Sequence, residues 1–178
     1  MKKFKTCCFI DYYPQDYFMD LDVKSSNFIK LKSRLKETMT ILIEDFSVTH
    51  FISGMEFGLE QLSAEIVLDL KTKFPSITLE GAIPYENQVI NWTESQRDKY
   101  YSIMQKIDNE VLLQYHYSYD CMRKRNLYMM NKSKFIILYT NNTNKIDNIN
   151  EYAKSIGKFV INMDIETSNI IPRIKIFR

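Results

Sequence analysis

The residues best suited to chemistry lie between Val48 and Lys73, in the stretch VTHFISGMEFGLEQLSAEIVLDLKTK. A short β-type run stops at Ser53-Gly54, and after Gly58 an amphipathic helix begins. Two of the chain's four glycines fall in that junction. In α/β proteins a strand, glycine loop and helix in this order commonly hold a phosphate or a ribose. Glycine lets backbone approach the ligand, and the helix N-terminus offers unpaired N–H groups. The junction therefore points to a nucleotide-type ligand. Glu56 and Glu60 beside it would repel a phosphate by Coulomb energy that grows where water is excluded. A ligand that meets the loop through ribose hydroxyls, with Glu60 accepting their hydrogen bonds, is electrostatically easier. A structural alternative stands beside this reading: Ser53 as a helix N-cap, with Glu56 completing a capping box.

Other reactive side chains carry less. Glu60 and Glu65 are five residues apart, so on one helix they project in different directions and make no ready acid/base pair. His50 and His116 fall in or beside predicted strands without a cysteine or carboxylate at ligand spacing, so no metal site is assigned. Cys7 and Cys8 are neighbours in a predicted strand and point to opposite faces, although Cys8, near the strand end, comes closer to the crevice. Trp92 reads as a core or rim anchor, with ligand stacking as the alternative.

Alternating strands and helices must position these groups. Phe4 to Ile10 is predicted as a strand buried on both faces, followed by a polar, aromatic loop from Asp11 to Asp22. Phe28, Leu31, Leu35, Met39, Leu42 and Phe46 recur at steps of three or four and form one helical stripe. Strands follow at Val48 to Ile52, Ile77 to Ile83, Val111 to Tyr115, Phe135 to Tyr139 and Phe159 to Met163, with a terminal edge strand at Ile174 to Phe177. Between them the pattern predicts helices marked by Leu59, Leu62, Ile66, Val67 and Leu70, then from Glu94 to Asp108, Asp120 to Asn131 and Ile146 to Ile156. Thr93 and Gln96 have capping-box spacing, and Gly157 is placed as a C-terminal cap. This alternation implies right-handed crossovers. The fold class is α/β, Rossmann-like, with a mostly parallel sheet of six or seven strands and helices on both faces.

At 178 residues, 45% hydrophobic and 26% charged, the chain reads as a single globular domain, residues 1 to 178, long enough to bury a core without staples. Its 24 Lys plus Arg and 22 Asp plus Glu are interspersed, which argues against a nucleic-acid groove. The lysines between Lys24 and Lys36 read as a solvated helix face. Three cysteines without C-x-x-C spacing suggest neither a disulfide framework nor zinc. The apolar run from Thr6 to Ile10 is too short for a signal peptide, and no run reaches membrane-span length, so the expectation is a cytoplasmic protein.

The run Ser53-Gly54-Met55-Glu56-Phe57-Gly58-Leu59-Glu60, followed by Ala64-Glu65, resembles the S-G-M-x-x-G-x-[DE]…A-E signature of the YpsA-like branch of the SLOG superfamily. Ile83-Pro84-Tyr85 with Gln88 and Trp92 resembles that branch's P-[FY]-x-x-Q-x-x-x-W segment. Met122 to Asn126 with Met129, Asn131 and Ser133 resembles its M-x-x-R-N-x-x-M-[VM]-[DN]-x-S segment, and Tyr152-Ala153 with Lys158 its final helix and strand. The resemblance implies a Rossmann-like sheet with a nucleotide or nucleotide-derived ligand at the carboxyl ends of the strands. Carried onto this chain, the ligand-binding set is Ser53, Gly54, Met55, Gly58, Glu60, Arg125, Asn126, Asp11 and Thr140. For Arg125 the alternative is a structural pair with a nearby carboxylate. Departures are equally specific. The branch's F-T-G-H-R-P segment is here Phe9-Ile10-Asp11-Tyr12-Tyr13-Pro14, and its G-G-T loop is Tyr139-Thr140-Asn141-Asn142-Thr143. One cationic side chain and two close backbone approaches are thereby lost.

The leading reading is a sensor or regulatory protein that binds a nucleotide-derived small molecule, with no cofactor identified and no catalytic residue assigned. The resemblance also implies self-association, here as a homodimer. The superfamily includes phosphoribohydrolases, so an N-glycosidic-bond hydrolase is one alternative, but the P-G-G-x-G-T-x-x-E segment that supplies their catalytic Glu does not occur. The other alternative is an adaptor with a decayed ligand site, binding a protein partner through Tyr12, Tyr13, Tyr17 and Phe18.

Overall fold

The computed structural model describes residues 5–11, 24–140 and 147–171. Strands β1 (Lys5–Ile10), β2 (Val48–Ser53), β3 (Thr78–Ile83), β4 (Asn109–Leu112), β5 (Phe135–Thr140), β6 (Phe159–Asp164) and β7 (Ile170–Ile171) form one sheet in the order β4-β3-β2-β1-β5-β6-β7. All neighbours pair in parallel except β6 and β7, which are antiparallel. The chain thus builds outward from β1 to β4, then returns to β1's other side with β5. That reversal makes a topological switch point between β1 and β5, where open α/β sheets place their ligands.

Helices α1 (Ser26–Glu44), α2 (Leu59–Leu70), α3 (Glu94–Met104), α4 (Cys121–Lys132) and α5 (Asp147–Ser155) cover both faces. Leu31, Leu35, Met39 and Leu42 of α1 pack with α2, with Tyr100 and Ile103 of α3, and with Cys7, Phe9 and Phe51 of the sheet. On the other face, Met129 and Met130 of α4 and Ile149 and Ala153 of α5 pack against Cys8, Ile10, Ile52 and Ile136. Cys7 and Cys8 therefore belong to separate cores, as strand alternation requires. Burial pushes the Cys8 thiol up to about 12, which removes it as a nucleophile.

Local signals act as the sequence suggests. The Thr93 hydroxyl accepts from Gln96 N at 3.3 Å and the Gln96 side chain accepts from Thr93 N at 2.9 Å, a closed capping box. Gly157 sits at φ 70°, and Lys158 N donates back to Ala153 O at 2.9 Å, ending α5. Lys30, Lys32 and Lys36 are exposed on α1.

Two boundaries differ from expectation by more than one residue. The predicted third helix reaches Asp108, but α3 ends at Met104, because the Asp108 carboxylate accepts from Leu79 N at 2.8 Å and from Lys71 Nζ at 2.6 Å. The strand predicted at Val111 to Tyr115 is β4, two residues earlier. Its register, Glu80↔Asn109 to Ile83↔Leu112, is set by β3, and as an edge strand it is largely exposed and shows no apolar run. The helix predicted from Ile146 to Ile156 is α5, Asp147–Ser155. Phe4, the aromatic residues Tyr12, Tyr13, Tyr17 and Phe18, most of the loop after β1, Asn141 to Thr143 and the strand predicted at Ile174 to Phe177 lie outside the described residues.

Candidate functional site

Ser53 is the last residue of β2, and Gly54 continues the chain past the sheet edge. The Ser53 hydroxyl donates to Glu60 O at 3.0 Å and accepts from Met55 N at 3.1 Å. It therefore folds the loop back on α2 instead of capping a helix. The capping-box alternative for Ser53 and Glu56 is not realised: α2 starts at Leu59 behind Gly58, which makes no side-chain cap bond. Gly58 holds φ 113° and ψ −124°, a region open essentially to glycine alone. Met55 also has positive φ, 58°. Its side chain is fully buried in the core.

At the centre lies a buried ion cluster. The Arg125 guanidinium, on α4, donates to Glu56 Oε2 at 2.8 Å, to Glu60 Oε1 at 3.3 Å and to Gly54 O at 3.5 Å. Its Nε and Nη2 both donate to Asn126 Oδ1, at 3.1 and 3.0 Å. Every guanidinium nitrogen is engaged. Glu60 accepts in addition from Asp11 N at 3.4 Å and Glu56 N at 3.1 Å, which ties the end of β1 to the β2 loop. The Glu60 side chain is wholly buried, Arg125 nearly so, and Glu56 is 15% exposed. Burial pushes the Glu60 carboxyl above its ordinary value, with the Arg125 charge pulling it back and Glu56 adding to the push. For Arg125 burial acts to lower the pKa, but the charges of Glu60 and Glu56 outweigh it and hold the side chain protonated.

Gly54 is required by this cluster. A Cβ there would lie 2.5 Å from Glu60 Oε2, 2.6 Å from Arg125 Nε and 2.7 Å from Arg125 Cζ. No side chain larger than hydrogen fits between strand end and guanidinium.

The structure thus joins Ser53, Gly54, Met55, Glu60, Arg125, Asn126 and Asp11 through direct bonds, with Gly58 opening the helix that carries Glu60. Thr140 stands at the carboxyl end of β5, across the switch point, buried, its carbonyl accepting from Ile165 N at 3.0 Å. Glu65 faces away and pairs with Lys99 at 3.0 Å. Trp92 packs edge-on to Phe57 and Tyr100, at centroid distances of 6.2 and 5.7 Å. A separate groove of about 470 Å³ between α1 and β7 includes none of the expected site residues.

Two polar networks were not anticipated. Ser63 on α2 meets the buried Tyr139 hydroxyl at 2.5 Å, below the cluster. Glu80, in the middle of β3, accepts from Tyr128 at 2.8 Å and Asn109 at 3.0 Å, with His50 Nε2 at 3.5 Å. A carboxylate inside the mostly apolar run Ile77 to Ile83 was the available sequence signal. Burial pushes the Glu80 carboxyl up, but hydrogen bonds from His50, Tyr128 and Asn109 outweigh it and hold it down at about 2. A depressed carboxyl adds stability that is complete above its unfolded value, about 4.3, and is lost as pH falls toward the folded value. Urea melts of wild type and Glu80→Gln between pH 7 and pH 2.5 should therefore converge on acidification. A gap independent of pH would show that Glu80 is not held this way.

Among the described residues no group of three or more His, Cys, Asp or Glu could hold a metal ion, and no helix is long and apolar enough to cross a membrane.

A doubly wound sheet with a glycine loop and charged cluster beside its switch point defines a Rossmann-like protein class. The YpsA family model, described as the YspA SLOG family, matches residues 17–168, and the chain belongs to that family. It is similar to a UPF0398 protein of Lactobacillus acidophilus, 31% identical over 96 residues, covering 54% of this chain and 49% of the relative. It is also similar to a UPF0398 protein of Halalkalibacterium halodurans, 30% identical over 112 residues, covering 61% of this chain and 59% of the relative. A third, from Bacillus pumilus, is 32% identical over 78 residues, 44% of this chain and 41% of the relative. The chain spans about half the length of the curated relatives it matches.

Proposed function

We propose that the protein binds a nucleotide or nucleotide-derived small molecule in the crevice at the carboxyl ends of β1, β2 and β5, acting as a sensor or regulator. The observation that carries this reading is the buried Arg125–Glu60–Glu56 cluster packed on Gly54 beside the switch point. Buried charges are costly unless paired, and this cluster fixes the loop's backbone where a ligand would meet it. Family membership supports the same reading. Arg125 is already engaged by two carboxylates, so the local field disfavours a phosphate and favours hydroxyl donors, as a ribose supplies, reaching the partly exposed Glu56.

The test is thermal unfolding of the full chain with a panel of nucleotides, cyclic dinucleotides and ADP-ribose. A ligand at a hundred times its Kd should stabilise by about 2.7 kcal/mol, and a flat response across the panel would overturn the reading. The same samples, incubated with nucleoside monophosphates and analysed for products, separate binding from hydrolysis. Release of free base would assign an N-glycosidic hydrolase instead.

A further inference from the structure

Beside the cluster stands an aromatic pair that the glycine loop does not explain. Tyr85 follows β3 by two residues, on the sheet edge that carries Gly54. Tyr117 lies in the connection from β4 to α4, and its ring meets Tyr85 edge to face, with centroids 5.4 Å apart and planes at 82°. Tyr117 is 66% exposed, yet its loop is firmly built. Glu86 N donates to Tyr115 O at 3.3 Å, and Gln114 Nε2 donates to His116 O at 2.6 Å and to Ser118 Oγ at 2.8 Å. Ser118 Oγ in turn donates to Asp120 Oδ1 at 2.9 Å, and Cys121 N closes on Ser118 O at 3.0 Å.

β2 and β3 run parallel with Ser53 beside Gly81, so Tyr85 leaves the sheet at the same end as Gly54 and Glu56. Burial raises its phenol pKa first, and nearby Cys121 and Glu56 add to it. Glu56 is the partner of Arg125, and Cys121 precedes Arg125 by one turn of α4. The rings therefore lie at the end of the sheet that carries the cluster, on the side of β3 and β4. An ordered ring that stays largely in water offers a π-face without the entropy loss of fixing it on binding.

We infer that Tyr117, braced edge to face by Tyr85, is the stacking platform for the base of a nucleoside whose ribose reaches Glu56 beside Gly54. This rests on the proposed crevice reading and adds an orientation to it: base toward β3 and β4, ribose at the β2 loop. Base stacking on aromatic rings tolerates different bases, so the platform selects a nucleoside over a bare sugar phosphate rather than one base over another.

Calorimetric titration of the full chain with ADP-ribose and with ribose 5-phosphate tests it. Tyr117→Ala, at an exposed position, and Tyr85→Ala should each weaken ADP-ribose binding roughly tenfold to a hundredfold. Tyr85→Phe should keep it, and ribose 5-phosphate should bind all variants alike. Equal weakening of both probes, or undiminished ADP-ribose binding to Tyr117→Ala, overturns the platform and leaves the crevice standing. Wild type binding ribose 5-phosphate as tightly as ADP-ribose does the same. Wild type binding neither probe overturns the platform, and the crevice reading is then decided by the wider nucleotide panel.

Discussion

Replacing Arg125 by methionine should lower stability at neutral pH by about 3–5 kcal/mol, the usual cost of leaving a buried charge without its partner. For a chain of this size that corresponds to roughly 6–20 °C in Tm. The reason is specific to Glu60. Its carboxyl is wholly buried and already pushed up by desolvation with the guanidinium in place. Without the cation its folded pKa rises further. A raised carboxyl contributes stability that is present below its unfolded value, about 4.3, and lost as pH rises through its folded value. The deficit of Arg125→Met should therefore be smaller near pH 4 than at pH 7, and adding Glu60→Gln should restore part of it. A deficit that is the same at both pH values and untouched by the second substitution would mean the guanidinium acts by packing alone.

Gly54→Ala is the second large effect, expected on the order of 3 kcal/mol. The new methyl would enter the space held by Glu60 Oε2 and the Arg125 guanidinium, and neither can swing aside without breaking bonds made inside the protein. Gly157→Ala is the matched control. There φ is +70° but nothing lies within 4 Å of the added carbon, so only backbone strain of about 1–2 kcal/mol remains. Chemical denaturation of the two variants should rank them in that order, and equal losses would show the crowding at Gly54 to be unimportant.

The fold was legible where burial imposes a period. The α1 stripe from Leu31 to Leu42 and the doubly buried β1 had only one way to satisfy both periodicity and core. Legibility fell at the exposed edge. β4 carries no apolar alternation because none of its four residues is buried, and Asp108 left helical register for a tertiary bond to Leu79 N. At the site, sequence order could place Gly54, Glu60 and Arg125 at strand ends. It could not tell that Glu56 and Glu60 converge on one cation, because that depends on where α4 docks. The Glu80 network was hidden for the same reason: its partners His50, Asn109 and Tyr128 come from three other elements.

The span of chain closed by the ion cluster also bears on how the molecule assembles. The bonds from Arg125 to Glu60, Glu56 and Gly54 bridge 65, 69 and 71 residues. Glu60 cannot be desolvated cheaply until α4 has arrived, so α2 and the β2 loop must stay wet at that end while the first four strands collapse. Closing so long a loop is entropically slow, which puts the seal late on the folding path. Loss of Arg125 would then show mainly as faster unfolding, with refolding almost unchanged. The glycine loop owes its lifetime in the folded state to a helix encoded in the second half of the chain.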